Sequence, residues 1–265
     1  MGDAAAVWAR RQAARGIPDA IRRAAPADPW THDPADFAPP QHPDDTPSRT
    51  AARALAERAA AWGCSGASVL DVGCGGGDAA FAAAWPDPSP VSRILGVDRQ
   101  ADMLAKFAAA ARDRGLPHGT VQGSWPDVAG EAGRHDVVVC HHVLHNVVDL
   151  PPFLTALTAA ARPAGGVVVE MLPEHPMAWL DPLWARFHDL HREPSATDSD
   201  AVAVLAELGI TPRVHRWQRP RRHPHDAAWV TRRLCLPADR TGEVADALRD
   251  LPPRRADAVT LVWTA

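Results

Sequence analysis

The chain has 265 residues, with 28 Lys and Arg against 32 Asp and Glu, a formal net charge of −4; it offers no global attraction to nucleic-acid backbones or anionic membranes. There is no Tyr, and Lys106 is the single lysine, which excludes a Tyr-x-x-x-Lys dehydrogenase dyad and a phosphate loop of the GxxxxGK type. Any catalytic base is therefore His, Asp, Glu or Cys.

Cys64, Cys74, Cys140 and Cys235 lie far apart with no Cys-x-x-Cys pair, in a chain long enough to need no disulfide framework. The first residues have no basic start followed by an apolar core, and no apolar run reaches membrane-spanning length. The expectation is a soluble, unprocessed, cytoplasmic protein, a monomer or homodimer.

In chain order, residues 1–50 are expected to form a Pro-rich strap or cap: a short helix around Trp8, then a stretch holding Trp30, Phe37, Pro39 and Pro40. Free linkers rarely carry such aromatics. Ser48 is expected to cap a helix in which Leu55, Ala59 and Trp62 follow helical spacing, stopping near Gly63. Short, nearly continuous apolar runs at 68–72, 93–97, 119–122, 136–140 and 167–171 suit strands buried on both faces of a parallel sheet. Helical patterns at 79–84, 103–114 and 153–162 alternate with them.

A stretch rich in Trp, His and Pro, 173–194, precedes a helix capped by Thr197 or Asp198 that runs through Val202, Leu205 and Leu208 to Gly209. A sixth strand is expected at 212–217 and a seventh at 258–264, with two helices between them. This alternation predicts an α/β protein with a Rossmann-like doubly wound sheet. The core domain is placed at 51–265, with a substrate-cover insertion at 172–196 and a helical insertion at 218–257.

The chemistry concentrates where the first strand, Val69-Leu70-Asp71-Val72, enters Gly73-Cys74-Gly75-Gly76-Gly77-Asp78. Glycines there allow a sharp turn and let a ligand approach backbone N–H groups. Asp98 ends the second strand 21 residues after Gly77, where a carboxylate can accept both hydroxyls of a ribose. Asp71, two before the first glycine, suits a ligand with a cationic amino-acid end and disfavours a dinucleotide pyrophosphate.

These residues resemble the class I S-adenosylmethionine-dependent methyltransferases, whose first motif, acid-x-Gly-x-Gly-x-Gly, is matched from Asp71 to Gly77. The resemblance continues through Val97-Asp98-Arg99-Gln100-Ala101-Asp102-Met103-Leu104. It continues again through 135–149, similar to the fourth motif of the small-molecule, quinone-biosynthesis-like branch. It implies a seven-stranded sheet with the last strand antiparallel, S-adenosylmethionine as cofactor with S-adenosylhomocysteine as product, and a small-molecule acceptor. It also implies cofactor contacts from Asp71, Gly73, Cys74, Gly75, Gly77, Asp98, Arg99, Met103, Ser124, Trp125 and Cys140. The family's Gly-Asp after the third strand is replaced by Gly123-Ser124, with the Ser124 hydroxyl or backbone expected in the acid's place.

His142, His145 and His141 follow the fourth strand, and His142 is the first choice for a general base. Together with Cys140 they offer soft ligands, but no partner stands at standard metal spacing, so no metal is expected. Glu174, His175 and His188 are expected to line the acceptor pocket, with Glu170 on the same sheet edge. Arg213, Arg216, Arg219, Arg221, Arg222, His223 and His225 form a basic stretch, read as a solvated strand edge. The rival functions are an RNA or rRNA methyltransferase using that stretch, and a cofactor-binding protein without turnover.

Overall fold

The computed structural model describes residues 2–29, 45–62, 66–85, 88–219, 225–252 and 257–265. The expectations attached to Trp30, Phe37, Pro39, Pro40, Gly63, Cys64, Arg221, Arg222 and His223 lie outside these residues. The order is α1 (Asp3–Ala13), α2 (Asp19–Ala24), α3 (Pro47–Trp62), β1 (Ala67–Val72), α4 (Asp78–Ala83), β2 (Val91–Asp98), α5 (Ala101–Asp113), β3 (His118–Gln122) and α6 (Ala129–Ala132). Then come β4 (His135–His141), α7 (Leu150–Ala160), β5 (Ala161–Met171), α8 (Asp181–His188), α9 (Asp198–Glu207), β6 (Arg213–Gln218), α10 (Ala227–Arg233), α11 (Thr241–Arg249) and β7 (Asp257–Thr264).

The seven strands lie in the order β3-β2-β1-β4-β5-β7-β6. β1 to β5 pair in parallel, and β7 runs antiparallel to both β5 and β6. The apolar runs explain this arrangement: Val69, Leu70, Val137, Val138, Val139, Val167, Val168 and Val169 are all fully buried, as strands covered on both faces require. Alternate residues feed two cores. Leu70, Val138 and Val167 face a core that also takes Trp8, Phe153 and Leu205, on the side of α1, α7 and α9. Val69, Val137 and Val168 face the other, filled by Leu55, Phe81 and Phe107 from α3, α4 and α5. The crossover direction reverses between β1 and β4, the place where open α/β sheets form a crevice at the carboxyl ends of their strands.

Two local differences from the sequence reading matter for that crevice. α3 begins at Pro47, and it is Thr46, not Ser48, that caps it, its Oγ1 accepting the Arg49 N–H at 3.3 Å. Proline at the first helical position lacks only an N–H that would be unsatisfied anyway, so the cap falls one residue before it and the Ser48 hydroxyl is released to point elsewhere. β5 is longer than expected, starting at Ala161 directly after α7. A third apolar cluster, holding Leu183, Trp184, Val230 and Val244, unites α8, α10 and α11 beside the sheet.

Candidate active site

Beyond β1 the chain turns through Gly73, Gly75 and Gly77 at φ of +71°, +49° and +93°, a region where side-chain-bearing residues are strained. Space adds to the requirement at Gly73, where a Cβ would stand 2.4 Å from Val143 Cγ2 in the loop after β4. The backbone N–H groups of Gly73 and Cys74 donate to the Val97 carbonyl at 2.8 and 3.0 Å, tying the turn to β2. Asp98, at the end of β2, receives the Gly75 N–H on Oδ2 at 3.0 Å and the Gln100 N–H on Oδ1 at 3.0 Å. Each carboxylate oxygen retains acceptor capacity, and the residue is only half-buried, so a diol can reach it.

Asp71 is buried at the base of the loop, its Oδ2 accepting the Ala80 N–H at 3.1 Å. Burial pushes its pKa up to about 7; the Ala80 hydrogen bond opposes this, and the charges of Asp78 and Asp98 add to it. Such a carboxyl is poised to ionise when a cation arrives. The donor and acceptor set therefore fits S-adenosylmethionine: a glycine turn, a diol acceptor and a buried acid.

The remaining cofactor candidates are placed less uniformly. Met103 is buried in α5, and Arg99 and Ser124 are exposed. Trp125 is half-buried, its Nε1 donating to the Phe153 carbonyl at 3.3 Å. Cys74 and Cys140 are buried, and burial pushes both thiols far up, so neither is a nucleophile at neutral pH.

At the ends of β4 and β5 the three histidines fall into different environments. His142 adopts a left-handed backbone, φ +60°, fixed by its N–H donating to the Glu170 carbonyl at 2.7 Å. Its Nε2 lies 2.9 Å from Glu170 Oε1. The other Glu170 oxygen accepts the Ser48 hydroxyl, which in turn contacts Thr46 Oγ1 at 3.0 Å. Burial alone would raise the Glu170 pKa, but the hydrogen bond from His142, the nearby imidazoles and Ser48 hold it well below the usual carboxylate range. Arg49, in the first turn of α3, grips Asp78 with bonds of 2.8 and 2.7 Å and so ties α3 to the glycine loop.

His141 has an Nε2 that is buried without a hydrogen-bond partner among the described residues. Burial lowers its pKa to about 4. His145 is buried and its Nε2 accepts the Leu172 N–H at 3.1 Å. That bond occupies the lone pair a base would need and leaves the proton on Nδ1; burial, then His175 and His142, lower its pKa to about 3. Only His142 of the three combines a carboxylate partner with an accessible ring, 35% exposed. The loop carrying His145 is braced from the amino-terminal side: Trp8 Nε1 donates to the Val147 carbonyl at 2.8 Å and Gln12 Nε2 to the Leu144 carbonyl at 3.1 Å.

Of the expected acceptor residues, Glu174 is exposed on the loop after β5. His175 sits beside His145, ring centroids 6.0 Å apart. His188 is taken up by the Leu234 carbonyl at 2.6 Å and packs on Trp184, which makes it part of the third apolar cluster. In the basic stretch, Arg216 pairs with Asp198, while Arg213 and His215 are exposed along β6. The sequence reading missed the contact of Ser48, itself touched by Thr46, with Glu170, 122 positions away; no short-range pattern encodes that meeting.

Residues 69–165 match the methyltransferase domain family. Over 144 residues the chain is 31% identical to the ubiquinone biosynthesis O-methyltransferase of Cronobacter sakazakii, covering 54% of this chain and 57% of that protein; the match thus spans little more than half of the relative's length. Among solved structures, a putative methyltransferase of Bacillus halodurans superposes with a TM-score of 0.54 at 19% identity, covering 79% of this chain and 96% of that one. The YcgJ protein of Bacillus subtilis gives 0.52 at 18% identity, covering 82% and 99%. These likenesses establish the fold.

Proposed function

We propose that the chain is a class I, S-adenosylmethionine-dependent methyltransferase that methylates a small-molecule acceptor, a reading supported by the methyltransferase-domain match over residues 69–165 and by the O-methyltransferase relatives. The observation that carries this reading is the convergence of the glycine turn with Asp98, whose carboxylate receives the Gly75 N–H at 3.0 Å and remains open to a ribose diol. S-adenosylmethionine, when bound, supplies an electrophilic methyl group on a positively charged sulfur. Asp98 would hold the ribose, the glycine turn would admit the ligand against its backbone, and Asp71 would answer the cationic amino-acid end.

Displacement at a methyl carbon needs the nucleophile in line with the leaving group, so much of the rate comes from orientation. His142 is the residue we assign to the acceptor's proton. An ionised Glu170 only accepts, so the His142 Nε2 must carry the hydrogen, leaving the Nδ1 lone pair to take a proton. This arrangement favours a hydroxyl acceptor, which loses its proton in the reaction, in keeping with the O-methyltransferase name of the relatives.

The test is calorimetric titration with S-adenosylhomocysteine followed by a turnover assay on phenolic and catecholic acceptors. One micromolar site per chain and methylation of an oxygen are expected. No heat of binding overturns the reading, and binding without turnover across the panel would leave a cofactor-binding protein.

A further inference from the structure

We propose that the small cavity enclosed by Arg15, Arg192, Arg233 and His175 binds a carboxylate belonging to the methyl acceptor. The inference rests on the methyltransferase reading and narrows its substrate to organic acids.

The cavity has a volume of about 20 Å³ and is walled on its apolar side by Met177 and Trp184. That is room for one small polar group, so it would grip the end of a ligand and not its body. Arg15 comes from the turn after α1, Arg192 from the segment after α8 and Arg233 from the end of α10. Three separate elements thus aim cations at one point.

Arg15 donates both terminal nitrogens to Asp181, each at 2.7 Å. Arg192 gives its Nη1 to the Arg15 carbonyl at 2.7 Å and stacks on Trp184 at 4.9 Å from the ring centroid. Among the described residues, Asp181 faces Arg15 and Arg192, standing 4.0 Å from Arg192 Nε, and Asp28 acts on Arg233.

The side chains of Arg15 and Arg192 are only 6% and 3% exposed. In both, Nε is buried with no hydrogen-bond partner among the described residues. Leaving a charged donor buried and unbonded is costly, and an anion in the cavity would satisfy it. His175 feels the same cations: burial, then Arg15 and Arg192, push its imidazole down to about 4.

The site also lies where an acceptor would need it. His175 touches His145 edge to face, and His145 holds the Leu172 amide just beyond β5. One wall of the cavity, His175, thus contacts the loop after β4 that also follows His142. Its indole and thioether walls suit the carbon that carries a carboxylate better than the hydration shell of an inorganic ion.

The experiment follows the His175 ring by NMR in the full chain saturated with S-adenosylhomocysteine, the signal being assigned by its loss in His175→Gln. Benzoate should shift it saturably and raise its titration midpoint by at least one pH unit, while the neutral isostere benzamide leaves it unchanged. Arg192→Gln should weaken benzoate at least tenfold and keep S-adenosylhomocysteine affinity. No response to benzoate, or an equal response to benzamide, overturns the proposal without recourse to any variant. Chloride matching benzoate at equal concentration overturns the acceptor as the source of the anion. Lack of S-adenosylhomocysteine binding alongside an intact benzoate response overturns the methyltransferase reading, and with it the assignment of the anion to an acceptor.

Discussion

Glu170 Oε1 lies 2.9 Å from His142 Nε2, while the backbone carbonyl of the same Glu170 accepts the His142 N–H at 2.7 Å. One residue of β5 therefore fixes both the main chain and the ring of the residue just beyond β4. The strands are register neighbours, with His141 opposite Glu170, so the left-handed turn at His142 brings its ring back over the carboxylate. A histidine held this way loses rotational freedom and has its tautomer set before any acceptor arrives.

His142→Ala is expected to lower kcat by about 10²-fold or more, the range typical of a positioned base, with S-adenosylhomocysteine affinity unchanged. Glu170→Gln should lower kcat by a smaller factor and alter the pH–rate profile, because an amide also donates and no longer dictates the tautomer. Steady-state kinetics from pH 5.5 to 8 provide the check. A flat profile with wild-type kcat in both variants would mean that orientation alone carries the reaction.

The parts of this site that could be read in the sequence are those encoded over short distances. The glycine turn and Asp98 are close in the chain and bound to strand ends by the alternating pattern, so their proximity follows from the fold class. The His142–Glu170 pairing requires knowing which strands are neighbours; the Ser48 contact requires knowing where α3 begins. The sequence reading put Ser48 at the helix cap, and Thr46 took that role because Pro47 fills the first helical position. The arginine cavity was invisible for a stronger reason: Arg15, Arg192 and Arg233 are spread over more than 200 residues of an arginine-rich chain, with nothing local to distinguish them.

Asp98→Ala should weaken S-adenosylhomocysteine by about 1.5 to 3 kcal/mol, the cost of losing hydrogen bonds to a charged acceptor. The Gly75 and Gln100 amides that it now receives are near the surface and can turn to water, so the fold should persist. Calorimetry beside a circular dichroism spectrum separates the two effects. Unchanged affinity in a folded variant would remove the ribose assignment.

Asp71 predicts a proton count. Its folded pKa of about 7 lies above the 3.8 of an exposed aspartate, so its contribution to stability is complete below pH 3.8 and is lost as the pH rises through 7. A cation binding next to it favours the ionised form, and the displaced proton goes to the buffer. At pH 6.5 the heat of S-adenosylhomocysteine binding should therefore vary with the ionisation enthalpy of the buffer in the direction of proton release. Asp71→Asn should abolish that dependence. Buffer-independent heats in the wild type would show that the carboxyl is already ionised or is not addressed by the ligand.

The buried imidazoles predict the acid limb of stability. His141 and His145 titrate near 4 and 3 in the folded chain against 6.5 for an exposed histidine. Their folded values are depressed, so their contribution is complete above pH 6.5 and is lost as the pH falls from 6.5 toward 4 and then 3; a one-unit depression corresponds to about 1.4 kcal/mol. Glu170 adds nothing in this window, since its own depressed pKa begins to cost stability only below the ordinary glutamate range near 4.5. His175, depressed to about 4, acts in the same direction, while Asp71, raised to about 7, offsets one such group as the pH falls from 7 to 3.8, so the melting temperature should still fall below pH 6.5. In His145→Gln the side-chain oxygen still accepts the Leu172 amide but carries no titrating group, so the decline should be shallower than in the wild type. Thermal unfolding at half-unit steps from pH 8 to 4.5 measures both slopes. Equal slopes in the two proteins would mean that His145 escapes to solvent and charges there before the fold gives way.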